Sequence, residues 1–351
     1  MSYRLPMRVQ AREPIMSSHQ NIEQPICARS ADRRVLLRNV MKSAWSGLAV
    51  IAVIATAPPV LATEGGGSFY LQGMQGDFGA ALIGPSGFYL RQDIALYDAS
   101  AGVRPVGDRV SLGTDLSAWL SVTRVAYAWE GEILGARAMS GIAIPFALDL
   151  NASGLAAGYG YQDFRAGDRT GLGDIAFQPL RLSWNFGHHH LALGPVIYAP
   201  TGGYSTDRII NTGRNRWGFD VAGAYTWLNP TRGHEVSVTG GYLINSGNNA
   251  TGYDSGNEAH VDWLVAQHFS PRFGIAAVGY WYQQVTDDGG NQPFPFKGRG
   301  FRGSGVGVGA AIITKPFAER SISLIGKWVH DLDTSNRFNG DIFIASVAFA
   351  F

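Results

Sequence analysis

From about residue 88 to its last residue the chain is written in period two: apolar or aromatic residues alternate with small and polar ones, stop at a turn, and begin again. That period marks strands with two unlike faces. Twelve such stretches stand at roughly 88–97, 116–129, 132–148, 174–186, 189–199, 216–229, 233–246, 257–269, 272–286, 303–315, 320–332 and 341–351. Their connections constrain the fold most. The even-numbered ones are tight, among them Gly187-His188, Asn229-Pro230-Thr231-Arg232, Ser270-Pro271 and Lys315-Pro316-Phe317-Ala318-Glu319. The odd-numbered ones, 98–115, 149–173, 200–215, 247–256 and 287–302, are long. A β-sandwich has no reason to sort its loops this way. A meander crossing a membrane does, with brief periplasmic turns on one side and long extracellular loops on the other. An even strand number returns the chain to the side it started from, so both mature termini are expected in the periplasm.

The strands show which face is which. In 217–227, Trp217, Phe219, Val221, Tyr225 and Trp227 share one side while Gly218, Asp220, Ala222, Ala224 and Thr226 share the other. In 321–331, Ile322, Leu324 and Trp328 oppose Ser321, Ser323, Lys327 and Asp331. A Lys at the lipid midplane costs roughly 2–4 kcal/mol, so Lys327 is expected to face the lumen. The last strand repeats Phe343, Ala345, Val347, Phe349 and Phe351 to the terminal carboxylate. It resembles the C-terminal signal read by the barrel assembly machinery, which becomes an expected partner beside outer-membrane lipid.

Residues 1–62 read differently. Arg33, Arg34, Arg38 and Lys42 precede an uncharged run, 43–57, and Val60-Leu61-Ala62 offers a small-residue cleavage site. This is the pattern of a secretory signal peptide, too short for a spanning helix, with Met41 an alternative translation start. The leader holds 8 of the 28 basic and 3 of the 27 acidic residues, so the body carries a net charge near −4. Nothing in that balance points to nucleic acid. The one cysteine, Cys27, lies in the leader, which leaves the body no thiol for a disulfide or a Cys-ligated metal.

Gly171-Leu172-Gly173-Asp174-Ile175-Ala176-Phe177-Gln178-Pro179-Leu180 followed by Trp184-Asn185, then Ala199-Pro200-Thr201-Gly202-Gly203-Tyr204, the 245–256 loop, and Tyr280-Trp281-Tyr282-Gln283-Gln284-Val285-Thr286-Asp287-Asp288-Gly289 form an ordered set. Together they resemble the family called proteins of the meta-pathway of phenol degradation, over about residues 84–351. The resemblance implies an outer-membrane barrel akin to the fatty-acid and aromatic-hydrocarbon channels, and a passive channel without cofactor. It also places segment 63–85, with Gly65-Gly66-Gly67 and the apolar Phe69, Tyr70, Leu71, Met74 and Phe78, where such channels carry a hatch. That segment is either a short periplasmic plug folded into the lumen or a tail packed against the barrel base.

The expected fold is therefore all-β: a transmembrane antiparallel up-and-down barrel of about twelve strands spanning 86–351. Its expected lumen-facing, substrate-binding candidates are Arg91, Asp93, Arg181, Asp220, His260, Asp262, Lys327 and Asp331. Both signs occur, so these side chains can brace the interior by pairing or offer polar partners to a guest. Pro179 cannot donate to a strand ladder, which predicts a bulge and makes it the candidate for a lateral opening. His188-His189-His190 sits in a tight turn with alternating side chains and no adjacent carboxylate, and Asp287-Asp288-Gly289-Gly290-Asn291 lacks calcium-loop spacing, so no metal site is expected. Two other functions fit the same fold. One is an adhesive or structural barrel acting through loops 98–115, 149–173 and 287–302. The other is a lipase-like hydrolase, for which His268-Phe269-Ser270 is the local candidate, though without the Ser-Asn-Gly continuation.

Overall fold

The computed structural model describes residues 64–106, 109–158, 161–291, 302–316 and 321–351. The leader 1–62 lies outside them. Among the described residues twelve antiparallel strands close into a barrel: β1 (Gly87–Val106), β2 (Arg109–Ala128), β3 (Arg137–Gly158), β5 (Ala176–Phe186), β6 (His189–Tyr198), β7 (Gly218–Asn229), β8 (His234–Asn245), β11 (Glu258–Ser270), β12 (Phe273–Gln284), β14 (Ser304–Thr314), β15 (Ile322–Ser335) and β16 (Asn339–Ala350). The seam is β1 against β16, running from Tyr89↔Ala350 to Ser100↔Asn339. Each predicted stretch is one of these strands.

Alternation sorts the side chains as the sequence predicts. Phe219, Val221, Tyr225, Leu324, Trp328 and Phe343 are exposed on the outer wall, whereas Asp220, Thr226, Lys327, Asp331 and Ser346 are buried inside. An unbroken outer belt of large apolar residues is what a lipid-spanning barrel presents. Two glycines are required by geometry. Gly187, at φ +66°, makes the two-residue turn between the paired Phe186 and His189. At the seam, any Cβ on Gly87 would collide with the Phe351 carbonyl oxygen.

The long connections differ from the expectation. Stretches 98–115 and 149–173 are mostly strand. β1 and β2 stay paired to Val106↔Arg109, and β3 continues beside β4 (Tyr161–Leu172) to Gly158↔Tyr161. Backbone bonds carry these hairpins past the apolar belt, where no lipid face demands alternation, so period two vanishes while the strand persists. β4 and β5 form one interrupted wall strand, with 173–175 the interruption. At the same end β9 (Gly247–Asn248), β10 (Tyr253–Asp254) and β13 (Gly289–Gly290) make a small sheet. The short turns and Phe351 lie at the opposite end.

Candidate functional site in the barrel lumen

Segment 64–84 runs through the barrel from the long-loop end to the turn end. Glu64 opens a single 3-10 turn, Glu64–Gly66, and its carboxylate accepts from Asn248 (2.7 Å) and the Tyr204 hydroxyl (3.3 Å), both in the long connections. Below it the Ser68 hydroxyl donates to Glu258, and Tyr70 donates to Asp262 (2.8 Å) while stacking on His260 at 4.5 Å. Lys327 donates to Gly73 O (2.8 Å), Gly76 O (2.7 Å) and Asp77 (3.0 Å), and Arg91 reaches Asp77 at 2.7 Å. Near the turns Gly79 N donates to Glu235, Arg181 to Ala80 O and Ser183 to Ala81 O. The segment is therefore inside the lumen, and Glu64 sits at the end opposite Phe351, where the even strand count alone had placed both termini on one side. The physical reason is that the stretch before β1 is itself a passage through the barrel.

All eight candidates face the interior, and most grip this segment. Arg91, Arg181, Lys327 and Asp262 bond it directly. His260 stacks on it and lies 3.0 Å from Asp220. Asp93 sits between Arg91 (2.6 Å) and Arg124 (2.9 Å). Asp331 accepts from Tyr280 (2.5 Å), Tyr97 (3.3 Å) and Gly340 N (3.0 Å). Asp77 thus lies between two cations, Arg91 at 2.7 Å and Lys327 at 3.0 Å.

The opposite half of the lumen is built differently. Apart from Arg124, the inward positions on β2 and β3 are mostly small or aliphatic: Ala118, Val122 and Ala126, then Gly141, Ala143 and Ala147. Between this flat face and the segment lies a cavity of about 580 Å³. Phe69 and Tyr198, stacked at 4.8 Å, border it. Sequence reasoning missed this cavity and the arginines at its edge, Arg124, Arg214, Arg216 and Arg337. Arg124 had a signal, since it shares the even-numbered face of β2 with Ala118 and Val122. The others stand in or beside connections, where alternation says nothing. Burial and the neighbouring Arg216 lower Arg214 to about 10, and burial with Glu64 pushes Tyr204 up to about 12.

Pro179 marks a break in the β5–β6 ladder, between Phe177↔Ile197 and Leu182↔Leu193. Ala199 N donates to Ile175 O, and continuing that register sets Pro179 opposite Pro195, two residues without an N–H. A Cβ on Gly194 would strike the bulged Leu180 carbonyl. The three turn histidines each have a separate partner: His188 the Leu228 carbonyl, His189 the Tyr225 hydroxyl, His190 the Asn185 side chain. Among the described residues no group of three or more His, Cys, Asp or Glu gathers as a metal site would. His268 is engaged with Glu235 at 2.7 Å, and Ser270 Oγ accepts from Arg272 N.

The family model described as "Putative MetA-pathway of phenol degradation" matches residues 99–346. No curated protein matches the chain. Among solved structures the chain is similar to an outer membrane channel from Pseudomonas putida F1, at 18% identity and a TM-score of 0.63, over 78% of this chain and 99% of that one. It is also similar to the β-domain of the Bordetella autotransporter BrkA, at 12% identity and a TM-score of 0.45, over 76% and 100% of the two chains. A third likeness is to a Pseudomonas aeruginosa FadL homologue, at 9% identity and a TM-score of 0.39, over 84% and 99%. The first of these agrees with the closed barrel.

Proposed function

The chain belongs to the MetA-pathway phenol-degradation family, and on that premise we propose that it is a passive outer-membrane channel for small hydrophobic or aromatic compounds. The observation that carries this reading is the apolar cavity of about 580 Å³ inside the belted barrel. A lumen of this kind takes up a small apolar guest without covalent chemistry and without a cofactor. In this reading the turn end faces the periplasm and segment 64–84 is the plug. The guest passes the long-loop end, enters the cavity beside the plug, and leaves sideways where Pro179 and Pro195 leave the β5–β6 ladder unbonded. The eight inward candidates, Arg91 to Asp331, meet the guest's polar group when the plug shifts, and the strand ending at Phe351 is the assembly signal.

The test is growth of a deletion strain on aromatic and aliphatic carbon sources at limiting concentration. A defect that deepens as the source is diluted, restored by the intact gene, is the expected result. Normal growth on every source at every dilution would remove the uptake reading. Deleting the 98–115 hairpin separates it from adhesion: uptake should survive, while an adhesive barrel would lose its partner.

A further inference from the structure

The cavity has a charge bias that a purely apolar guest leaves unused. Five arginines line it, Arg124, Arg181, Arg214, Arg216 and Arg337, against three carboxylates, Glu64, Asp77 and Asp174. The carboxylates are already committed. Glu64 accepts from Asn248 and Tyr204, Asp77 binds Arg91 and Lys327, and Asp174 accepts from the backbone N–H groups of Gly202 (2.9 Å) and Arg214 (2.6 Å). Glu258, outside the lining, accepts from Ser68 and Asn245 and lies 3.9 Å from Arg216.

Among the described residues, three of the five guanidinium groups have no carboxylate partner: Arg181, which donates to Ala80 O near the turn end, and, toward the long-loop end, Arg214 and Arg337. Arg214 spends its side chain on one carbonyl, Ser68 O, at 3.0 Å. Arg337 is 7% exposed, lies 3.6 Å over the Tyr282 ring, and its Nη1 has no hydrogen-bond partner. Among the described residues neither has a carboxylate within ion-pair distance. A buried cation without a counter-charge is costly, and an arriving anion removes that cost. The walls beside them are the Phe69–Tyr198 stack, Phe338 and the flat Ala and Gly face of β2 and β3, a slot suited to a planar ring.

We propose that this cavity binds an aromatic monocarboxylate, its ring against the β2–β3 face and its carboxylate between Arg214 and Arg337. The assignment rests on the channel reading and narrows it from hydrophobic compounds in general to anionic ones. The fork of a guanidinium matches a carboxylate in a way it does not match a hydroxyl or amide. The lowered Arg214 agrees, because burial and then the nearby Arg216 disfavour its charge, and an arriving anion would offset both.

Equilibrium calorimetry on the exported, folded chain in detergent tests this, with benzoate, benzamide and acetate as probes. Benzoate should bind at least ten-fold tighter than benzamide, its neutral analogue, and ten-fold tighter than acetate, which lacks the ring. The benzoate-to-benzamide ratio should collapse toward one in R214Q and R337Q and recover in part in R214K. Should R337Q fail to fold, the wild-type ratios and R214Q still decide. Equal binding of benzoate and benzamide overturns the proposal, as does acetate binding as tightly as benzoate. Flux into lipid vesicles separates the two layers: preferential benzoate binding with no flux of any solute removes the channel and keeps the site. Flux of benzamide without preference for benzoate removes the site and keeps the channel.

Discussion

Asp77 accepts from Lys327 and Arg91 at 3.0 and 2.7 Å, so removing its carboxylate leaves Lys327 without a counter-charge and Arg91 with Asp93 alone. Breaking one partner of a buried pair costs roughly 3–5 kcal/mol, and because Asp77 is 18% exposed the Asp77→Ala loss should fall near the lower end. The amides of 70–80 should then exchange faster while those of β11 and β12 keep their protection; unchanged exchange would show that the segment is held by packing alone. At this scale the inward candidates were legible because period two assigns a face to Lys327, Asp262 and His260 without knowing their partners. Their partner was not, since 64–84 has no period and its path is written only in long-range bonds such as Lys327 to Gly73 O, across 254 positions. Arg214 and Arg337 were equally invisible, as connection residues whose neighbours arrive from other parts of the chain.

The β5–β6 ladder fails where two prolines would face each other, so restoring both donors should close it. The double change Pro179→Ala with Pro195→Ala offers two backbone bonds worth about 0.5–1.5 kcal/mol each, and a higher denaturation midpoint is expected. Flux of toluene into vesicles should fall at the same time. A more stable barrel with undiminished flux would mean that the guest does not leave through this gap. Strand existence was legible throughout, because each wall strand must show lipid one face and the lumen the other. Strand length was not. The hairpins β1–β2 and β3–β4 run on beyond the belt, where only backbone pairing sustains them, and stretches 98–115 and 149–173 therefore look like loops when judged by side chains. The bulge at Pro179 was legible for the opposite reason, since one missing N–H is a local fact.

Over the whole molecule the belt makes the sharpest claim. Val221, 47% exposed at the middle of β7, should cost roughly 2–4 kcal/mol when changed to Arg in a lipid bilayer, read as a lower urea midpoint in vesicles. The same change on a surface that meets water would be nearly neutral, and a neutral result would remove the membrane from the account. The alternation of short and long connections made this architecture readable from the chain, and closure follows from the Phe351 strand pairing back onto β1. Parity did not carry over to the start of the described chain. Twelve strand passages return a polypeptide to the side it came from, but here segment 64–84 adds one more passage through the middle. The molecule is thus a ring closed around its own thread, and the two ends of that thread-and-ring open on opposite faces. With no cysteine after Cys27, single cysteines at Gly65, where a side chain meets open space although φ is +73°, and at Phe351 should react with a membrane-impermeant thiol reagent from opposite sides of a sealed vesicle. Such an odd crossing number also sets an order of events, because a ring whose seam is already bonded can admit its thread only end-on.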